Sequence, residues 1–306
     1  MLLRTVYLSL DPYMRGRLDA GKSYAPPVAI GEVMVGGTVS QVVQSNIAGF
    51  APGDWVLHQG GWQSYSLSGA EGALKVDPRI TQPSHAQGIL GMPGFTAYMG
   101  LSKIGLPRKG ETLVVAAATG PVGATVGQLA RLWGCKVVGV AGGEEKCRYA
   151  TEVLGFDACI DHRSDHFAEQ LASACPDGID IYYENVGGQV FDAVFPLLNS
   201  GARVPLCGTI SGYNSTSLPE GPDKSHAMMT EMIKRRITMR GFIVFDDFAD
   251  YFPEFIASMQ QLIAEDNITY KEHIVDGLEH APVTLNKLLR GDIFGKAVIQ
   301  VGPVSA

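Results

Sequence analysis

The sequence predicts an α/β protein in which a doubly wound parallel sheet occupies the middle of the chain. A smaller β-rich unit is predicted from its two ends. Three observations carry this. Residues 1–88 fall into short β-branched runs broken by Gly and Pro. From about residue 95, apolar strand-like runs alternate with helical periods. The tail from about residue 268 returns to strand, helix, strand. The resulting boundaries are 1–89 with 268–306 for the β-rich unit, and 90–267 for the α/β unit.

Taken in order, LLRTVYLSLDPYMRGR opens directly on an apolar β-rich run, followed by VMVGGTVSQVV, PGDWVL and WQSYSL. The α/β rhythm then begins. The run TLVVAAA is a strand, ATVGQLARLWG a helix, CKVVGVA a strand and EEKCRYATEVLG a helix. DACIDH, IDIYYENV and ARVPLCGTI continue the strands, with helices at FAEQLASAC and QVFDAVFPLL between them. Nearly continuous apolar strands between helices are what a parallel sheet covered on both faces requires. The stretch ITMRGFIVFD, residues 237–246, reads as one further strand late in this unit. In the tail, YKEHIVDGLEHAPVTLNKLLRGDIFGKAVIQV reads as strand, helix and strand rejoining the first unit.

Composition narrows the function classes. Hydrophobic residues make up 46% and the formal net charge is −7 over 306 residues. That balance gives no electrostatic reason to expect nucleic acid or an anionic membrane as partner. There is no uninterrupted apolar run of the length a membrane span needs, nor a basic-then-apolar leader. The five cysteines (Cys135, Cys147, Cys159, Cys175 and Cys207) include no CxxC pair. This speaks against a disulfide framework or a four-thiolate zinc site, and for reduced thiols in a cytoplasmic protein.

The run AATGPVGATVG, residues 117–127, is the first candidate site. It spells Ala118-x-Gly120-x-x-Gly123 between a strand and a helix, with Gly127 one turn on. Glycines here let backbone N–H groups approach a pyrophosphate, whose charge meets the positive end of the following helix. Ala118, Thr119, Gly120, Val122 and Gly123 are therefore candidate dinucleotide contacts, and the unit is of Rossmann type. The next strand ends Val140-Ala141-Gly142-Gly143, without the acid that commonly grips the adenosine ribose. Gly142 and Gly143 leave room for a 2′-phosphate, and Lys146 follows as its partner, which points to NADP. His162 and Arg163 could add donors, whereas Arg148 reads as a solvated helix-end charge. Glu144 as the ribose acid, giving NAD, is the competing reading.

A β-rich unit beside such a domain resembles the medium-chain dehydrogenase/reductase superfamily, whose first domain is GroES-like. Many members hold a catalytic zinc on Cys and His. Here LSLDPYMRG carries no cysteine, Ile30-Gly31-Glu32 lacks the histidine before the glutamate, and no cysteine precedes Cys135. A zinc Lewis-acid mechanism has no ligands in those places, and no metal is expected.

Several segments occur in order along the whole chain: YLSLDPYMRGR, GMPGFTAYMGL, AAATGPVGATVGQLA, GCKVVGVAGGEEK, ENVGG, CGTISGYN, GFIVFD and LLRGDIFGKAV. Together they resemble the zinc-independent, NADPH-dependent 2-alkenal/prostaglandin reductase group, and within it the bacterial curcumin-reducing branch. The resemblance implies NADPH-dependent reduction of the carbon–carbon double bond of α,β-unsaturated ketones and aldehydes, with a small-molecule enone as partner. It implies that Tyr213 lies by the nicotinamide ribose and donates to the substrate oxygen as an enolate forms, assisted by the ribose hydroxyl. Lys146 then contacts the 2′-phosphate, His162 stands where relatives have a tyrosine near that phosphate, and Asn185 lies on the nicotinamide side. Met92 and Thr96 would face the substrate cleft; Tyr13, Met14 and Arg15 would help line the substrate pocket, with Met14 equally well a core residue, and Tyr13, Tyr24, Met92 and Phe242 would make that pocket apolar.

The resemblance also implies a homodimer formed through the edge strand at 237–246. Zinc-free quinone reduction and a non-catalytic NADPH-binding role are the alternatives. Two departures stand out. Ile293 occupies the position two residues before Gly295-Lys296 where relatives carry asparagine, so that amide's polar contact is expected to be missing. The group carries roughly 35 residues ahead of the LLRTVYLSL segment, so the chain reads as lacking its first strands, with exposed strand edges as the expected consequence.

Overall fold

The computed structural model describes residues 1–21, 23–79, 82–217 and 221–304. Among them the first part of the chain forms β1 (Leu2–Ser9), β2 (Thr38–Gln44), β3 (Trp55–His58), β4 (Tyr65–Leu67) and β5 (Leu74–Val76). The middle forms β6 (Thr112–Ala116), β7 (Lys136–Ala141), β8 (Ala158–Asp161), β9 (Ile179–Tyr183), β10 (Leu198–Leu206) and β11 (Thr238–Gly241). The tail adds β12 (Glu272–Asp276) and β13 (Lys296–Gln300). Two compact units result, one of Met1–Met92 with Lys271–Ala306 and one of Pro93–Tyr270. Among the described residues no helix is long and apolar enough to cross a membrane.

In the first unit the sheet runs β12-β13-β1-β2-β3-β5, with β4 also on β1. β1 is its hinge: β2 pairs along one edge, while β4 and β13 share the other, at Leu2–Arg4 and Tyr7–Ser9. Two faces of β1 are consequently buried. Val6 packs with Val39, Trp55 and Val298, and Leu8 and Leu10 pack with Met14, Leu285 and Ile299. Lys296 is fully buried in this unit. Its Nζ donates to the carbonyl oxygens of Leu10 (2.7 Å) and Ala297 (3.1 Å) and to Asp11 Oδ1 (3.0 Å), so all three ammonium protons are used. Asp11 Oδ2 accepts from the Ser9 hydroxyl.

The second unit carries one parallel sheet in the order β11-β10-β9-β6-β7-β8. Numbered from β6, this is 3-2-1-4-5-6, the doubly wound order whose direction reverses between β6 and β9. Each of the five residues of β6 is buried, as a central strand covered on both faces must be. The helices include α1 (Met92–Met99), α2 (Pro121–Leu132), α3 (Glu144–Glu152), α4 (Phe167–Ala174), α5 (Gly188–Val194), α6 (Ser225–Arg235) and α7 (Val244–Phe248). α2 packs on β6 and β7, α3 on β7 and β8, and α6 on β10. Val114, Val138, Val140, Tyr182 and Val204 belong to the shared core.

One expected element is corrected. Residues 237–246 are not a single strand, since β11 ends at Gly241 and α7 starts at Val244. Asp247 Oδ2 reaches back to accept the Ile243 N–H at 3.0 Å, which satisfies a helix-start donor and turns the β-prone FIVF run into a helix entry.

Candidate cofactor and catalytic site

The glycine loop leaves β6 at the reversal point of the sheet, where ligands bind in doubly wound folds. Ala117, not Ala118, takes the left-handed conformation, at φ +51°. Ala118 is fully buried and its N–H donates to the Val140 carbonyl at 3.0 Å. It therefore shapes the loop from behind and cannot offer that N–H to a pyrophosphate. Thr119 is also nearly buried, while Gly120 is the residue preceding α2 and is partly open. No side chain caps α2, and Pro121 at its start has no N–H. That leaves the N–H groups of Val122 and Gly123 as the open donors of a positive helix end. At Gly123 a Cβ would stand 2.3 Å from the Ala117 carbonyl oxygen, so only glycine lets loop and helix close this tightly.

The strand-end glycines meet a cationic group. A Cβ on Gly142 would lie 2.9 Å from His162 Nε2 and 3.0 Å from Arg163 Nε, and one on Gly143 would lie 3.7 Å from an Arg163 terminal nitrogen. Lys146, in the first turn of α3, is close enough for its charge to act on His162. Burial first, then the charges of Arg163 and Lys146, push the His162 pKa below its ordinary value, with Asp161 pulling the other way. The acid in this corner is spent on structure: Asp161 Oδ1 accepts the N–H groups of Gly143 and Arg163, each at 2.9 Å. Burial pushes the Asp161 carboxyl up, but these two donors and its cationic neighbours hold it below the usual carboxylate range. Glu144 and Arg148 are exposed on α3. The corner thus offers three nitrogen side chains and open strand-end glycines, which suits an adenosine ribose bearing a 2′-phosphate. Arg163 stands closer to those glycines than its place two residues beyond β8 announces.

Across the reversal point, Asn185 Nδ2 donates to the Ala116 carbonyl at 2.8 Å and ties the ends of β9 and β6 together. The following turn runs through Gly187 and Gly188, both left-handed at φ +74° and +56°. It abuts the segment after β10 that carries Tyr213. A Cβ on Gly208 would be 3.0 Å from the Tyr213 hydroxyl and 3.7 Å from the Asn185 carbonyl oxygen, so the phenol lies over Gly208 beside Asn185. Glu184 is the residue sequence reasoning passed over. It is 1% exposed at the end of β9, and one oxygen accepts the N–H groups of Val186 (2.6 Å) and Gly187 (2.9 Å). Its position before a Gly-Gly turn was the available signal.

The remaining candidates divide between the units. In the first, Tyr13 and Arg15 are half-buried on the 3₁₀ turn Pro12–Leu18, with Arg15 paired to Asp19 at 2.7 Å. Burial, and then the Asp11 carboxylate, raise the Tyr13 phenol pKa. Met14 is a core residue, fully buried against Leu8, Leu10 and Leu285. Tyr24 is exposed and Met92 half-buried. Ile293 joins the same core as Met14, so this position calls for a hydrophobe here. In the second unit Thr96 is half-buried, and its carbonyl accepts from Tyr183 Oη at 2.7 Å. Phe242 is buried, with its ring against Phe248 and over Gly100, which a Cβ would bring to 2.8 Å. Among the described residues no group of three or more His, Cys, Asp or Glu could hold a metal ion.

A 3-2-1-4-5-6 parallel sheet with a glycine loop at its reversal point defines a dinucleotide-binding α/β protein. Residues 1–76 match the family model described as the N-terminal domain of oxidoreductase, and residues 121–261 the one described as zinc-binding dehydrogenase. The chain is 62% identical over 301 residues to the NADPH-dependent curcumin reductase of Escherichia coli (strain K12), covering 98% of this chain and 87% of that protein. It is 38% identical over 304 residues to the 2-alkenal reductase (NADP(+)-dependent) of Nicotiana tabacum, covering 98% and 87% respectively. The crystal structure of CurA from Vibrio vulnificus in complex with NADPH superimposes with a TM-score of 0.97 at 59% identity, over 99% of this chain and 90% of that one. This chain belongs to the medium-chain dehydrogenase/reductase superfamily, in the group that holds the curcumin, 2-alkenal and prostaglandin reductases.

Proposed function

We propose that this protein reduces the carbon–carbon double bond of α,β-unsaturated ketones and aldehydes, curcumin-like enones among them, with NADPH as reductant. The observation that carries the reading is the cationic corner of Lys146 and Arg163, with the His162 imidazole, at Gly142 and Gly143, in a chain so similar to an NADPH-dependent curcumin reductase. Bound NADPH supplies a hydride for the β-carbon of the enone. In this reading the N–H groups of Val122 and Gly123 hold the pyrophosphate, and the Lys146 and Arg163 cations, with the His162 imidazole beside them, hold the 2′-phosphate. Tyr213 donates its hydroxyl proton in a hydrogen bond to the enone oxygen as negative charge builds there, the role of an oxyanion-hole donor. The α-carbon takes its proton from solvent. Tyr13 and Arg15 are assigned to the enone, and no zinc takes part.

The test is loss of nicotinamide absorbance with NADPH, then NADH, against simple enones, a diarylheptanoid and a quinone. Enone-dependent oxidation that is much faster with NADPH is the expected result. Oxidation with the quinone alone would overturn the substrate class, and equal rates with NADH would overturn the role of the cationic corner. A cytoplasmic homodimer completes the reading. β11 is the outer strand of its sheet, with backbone groups a second copy can pair, and a monomer in sedimentation at micromolar concentration would refute the dimer.

A further inference from the structure

We propose that Glu184 is a positioning residue for the Tyr213 hydroxyl, holding through its buried carboxylate the turn on which the Tyr213 segment is built. The proposal rests on the enone-reductase reading for its kinetic consequence and on the structure alone for its geometry. A carboxylate is costly to bury, and Glu184 is all but inaccessible. What it gains are two backbone donors, the N–H groups of Val186 and Gly187, which the left-handed Gly187-Gly188 turn directs away from any sheet partner. Beyond the turn, the Tyr182 hydroxyl two residues back along β9 also acts on the carboxylate, and the turn supplies its backbone donors.

The turn in turn carries the Tyr213 segment. The Glu184 carbonyl accepts the N–H groups of Cys207 (3.0 Å) and Gly208 (3.2 Å), the Asn185 carbonyl that of Ile210 (3.2 Å), and the Val186 carbonyl that of Ser211 (3.0 Å). Ser211 Oγ donates to the same Val186 carbonyl. Three consecutive residues thus serve as the template for residues 207–211, and the Tyr213 N–H closes onto Ile210 at 3.2 Å. The phenol comes to rest over Gly208, whose own N–H is held by Glu184. A shift of the 184–187 turn therefore moves the floor beneath the hydroxyl, and displacements of about 1 Å at a reacting group cost on the order of a hundredfold in rate.

The experiment compares Glu184→Gln and Glu184→Asp in the full chain, each with and without Tyr213→Phe. Glu184→Gln keeps an oxygen at the same reach for both N–H groups, whereas Glu184→Asp withdraws it by one methylene while leaving a carboxylate. With NADPH and a simple enone, Glu184→Asp is expected to lower kcat about ten- to a hundredfold. NADPH affinity should stay within about threefold, and Glu184→Gln should retain most of the rate. In the Tyr213→Phe background the Asp substitution should add little, because both changes remove the same interaction. Full additivity of the two effects, or an unchanged kcat in Glu184→Asp, would overturn the proposal. Amide hydrogen exchange supplies a readout independent of turnover: protection at 207–213 should fall in Glu184→Asp and hold in Glu184→Gln, with α2 unaffected. If the unmodified chain oxidises NADPH with no enone, the functional reading has failed, and the exchange pattern alone decides the placement of Glu184.

Discussion

Replacing Lys296 by methionine strands a buried carboxylate. The Lys296 side chain is 1% exposed and that of Asp11 8%, so neither charge is appreciably hydrated. Methionine fills much of the same volume but removes the ammonium, leaving Asp11 with the Ser9 hydroxyl as its remaining side-chain donor here and depriving the Leu10 carbonyl of a 2.7 Å hydrogen bond. Breaking a buried pair from one side costs about 3–5 kcal/mol, whereas replacing both partners by apolar groups is often close to neutral. For a domain of this size each kcal/mol moves Tm by about 2–4 °C, so Lys296→Met should melt roughly 6–20 °C below the unmodified protein. The double variant Lys296→Met with Asp11→Leu should recover most of that loss. Circular dichroism melts of the four members of the cycle measure it. A single variant within about 2 °C of the unmodified protein, or a double variant no better than the single, would refute the reasoning that desolvated charge sets the cost.

Gly123→Ala should raise the NADPH dissociation constant at least about tenfold in a nicotinamide fluorescence titration, because the added Cβ meets the Ala117 carbonyl at 2.3 Å and backbone has to give way. Unchanged affinity would mean that the tight loop–helix closure is dispensable for the nucleotide. His58 supplies a pH signature: burial lowers its pKa to about 4, and Ser40 Oγ lies 3.1 Å from Nε2. The unfolded imidazole takes up its proton near its ordinary value of 6.5 and the folded one resists, so this contribution is complete above that pH. It is lost as pH falls through the folded value, up to about 3 kcal/mol in all. Urea midpoints between pH 7 and 4 should fall more steeply for the unmodified chain than for His58→Gln, and parallel slopes would exclude His58 as the source.

The α/β architecture was legible because its strands are unbroken apolar runs between helical periods, and burial on both faces permits little else. The glycine loop was legible for a similar reason, since backbone approach demands glycine and the demand shows in the letters. The carboxylates were not. Asp161 and Glu184 read as ordinary polar residues at strand ends, and only the fold reveals that their oxygens hold backbone N–H groups of Gly143, Arg163, Val186 and Gly187. The FIVF run misled for the opposite reason. Its β-prone side chains argue for extended backbone, but the deciding interaction comes from Asp247, beyond the run itself. Ala117 shows the same limit, since a left-handed alanine leaves no mark in a sequence.

The pairing of β1 with β13 has a consequence in time. Tyr7 lies opposite Gln300, so β1 waits for a partner made far along the chain. The whole of the parallel unit, Pro93–Tyr270, is synthesised in between. At about 5–20 residues per second the ribosome spends roughly ten to forty seconds on that interval. The parallel unit can close during it, for its strands are local to one another, but the Tyr7–Ser9 edge of β1 cannot. Throughout the wait that edge is an open template in a crowded cell. The arrival of β13 retires it, and the efficiency with which this protein is made depends on what shields the edge until then.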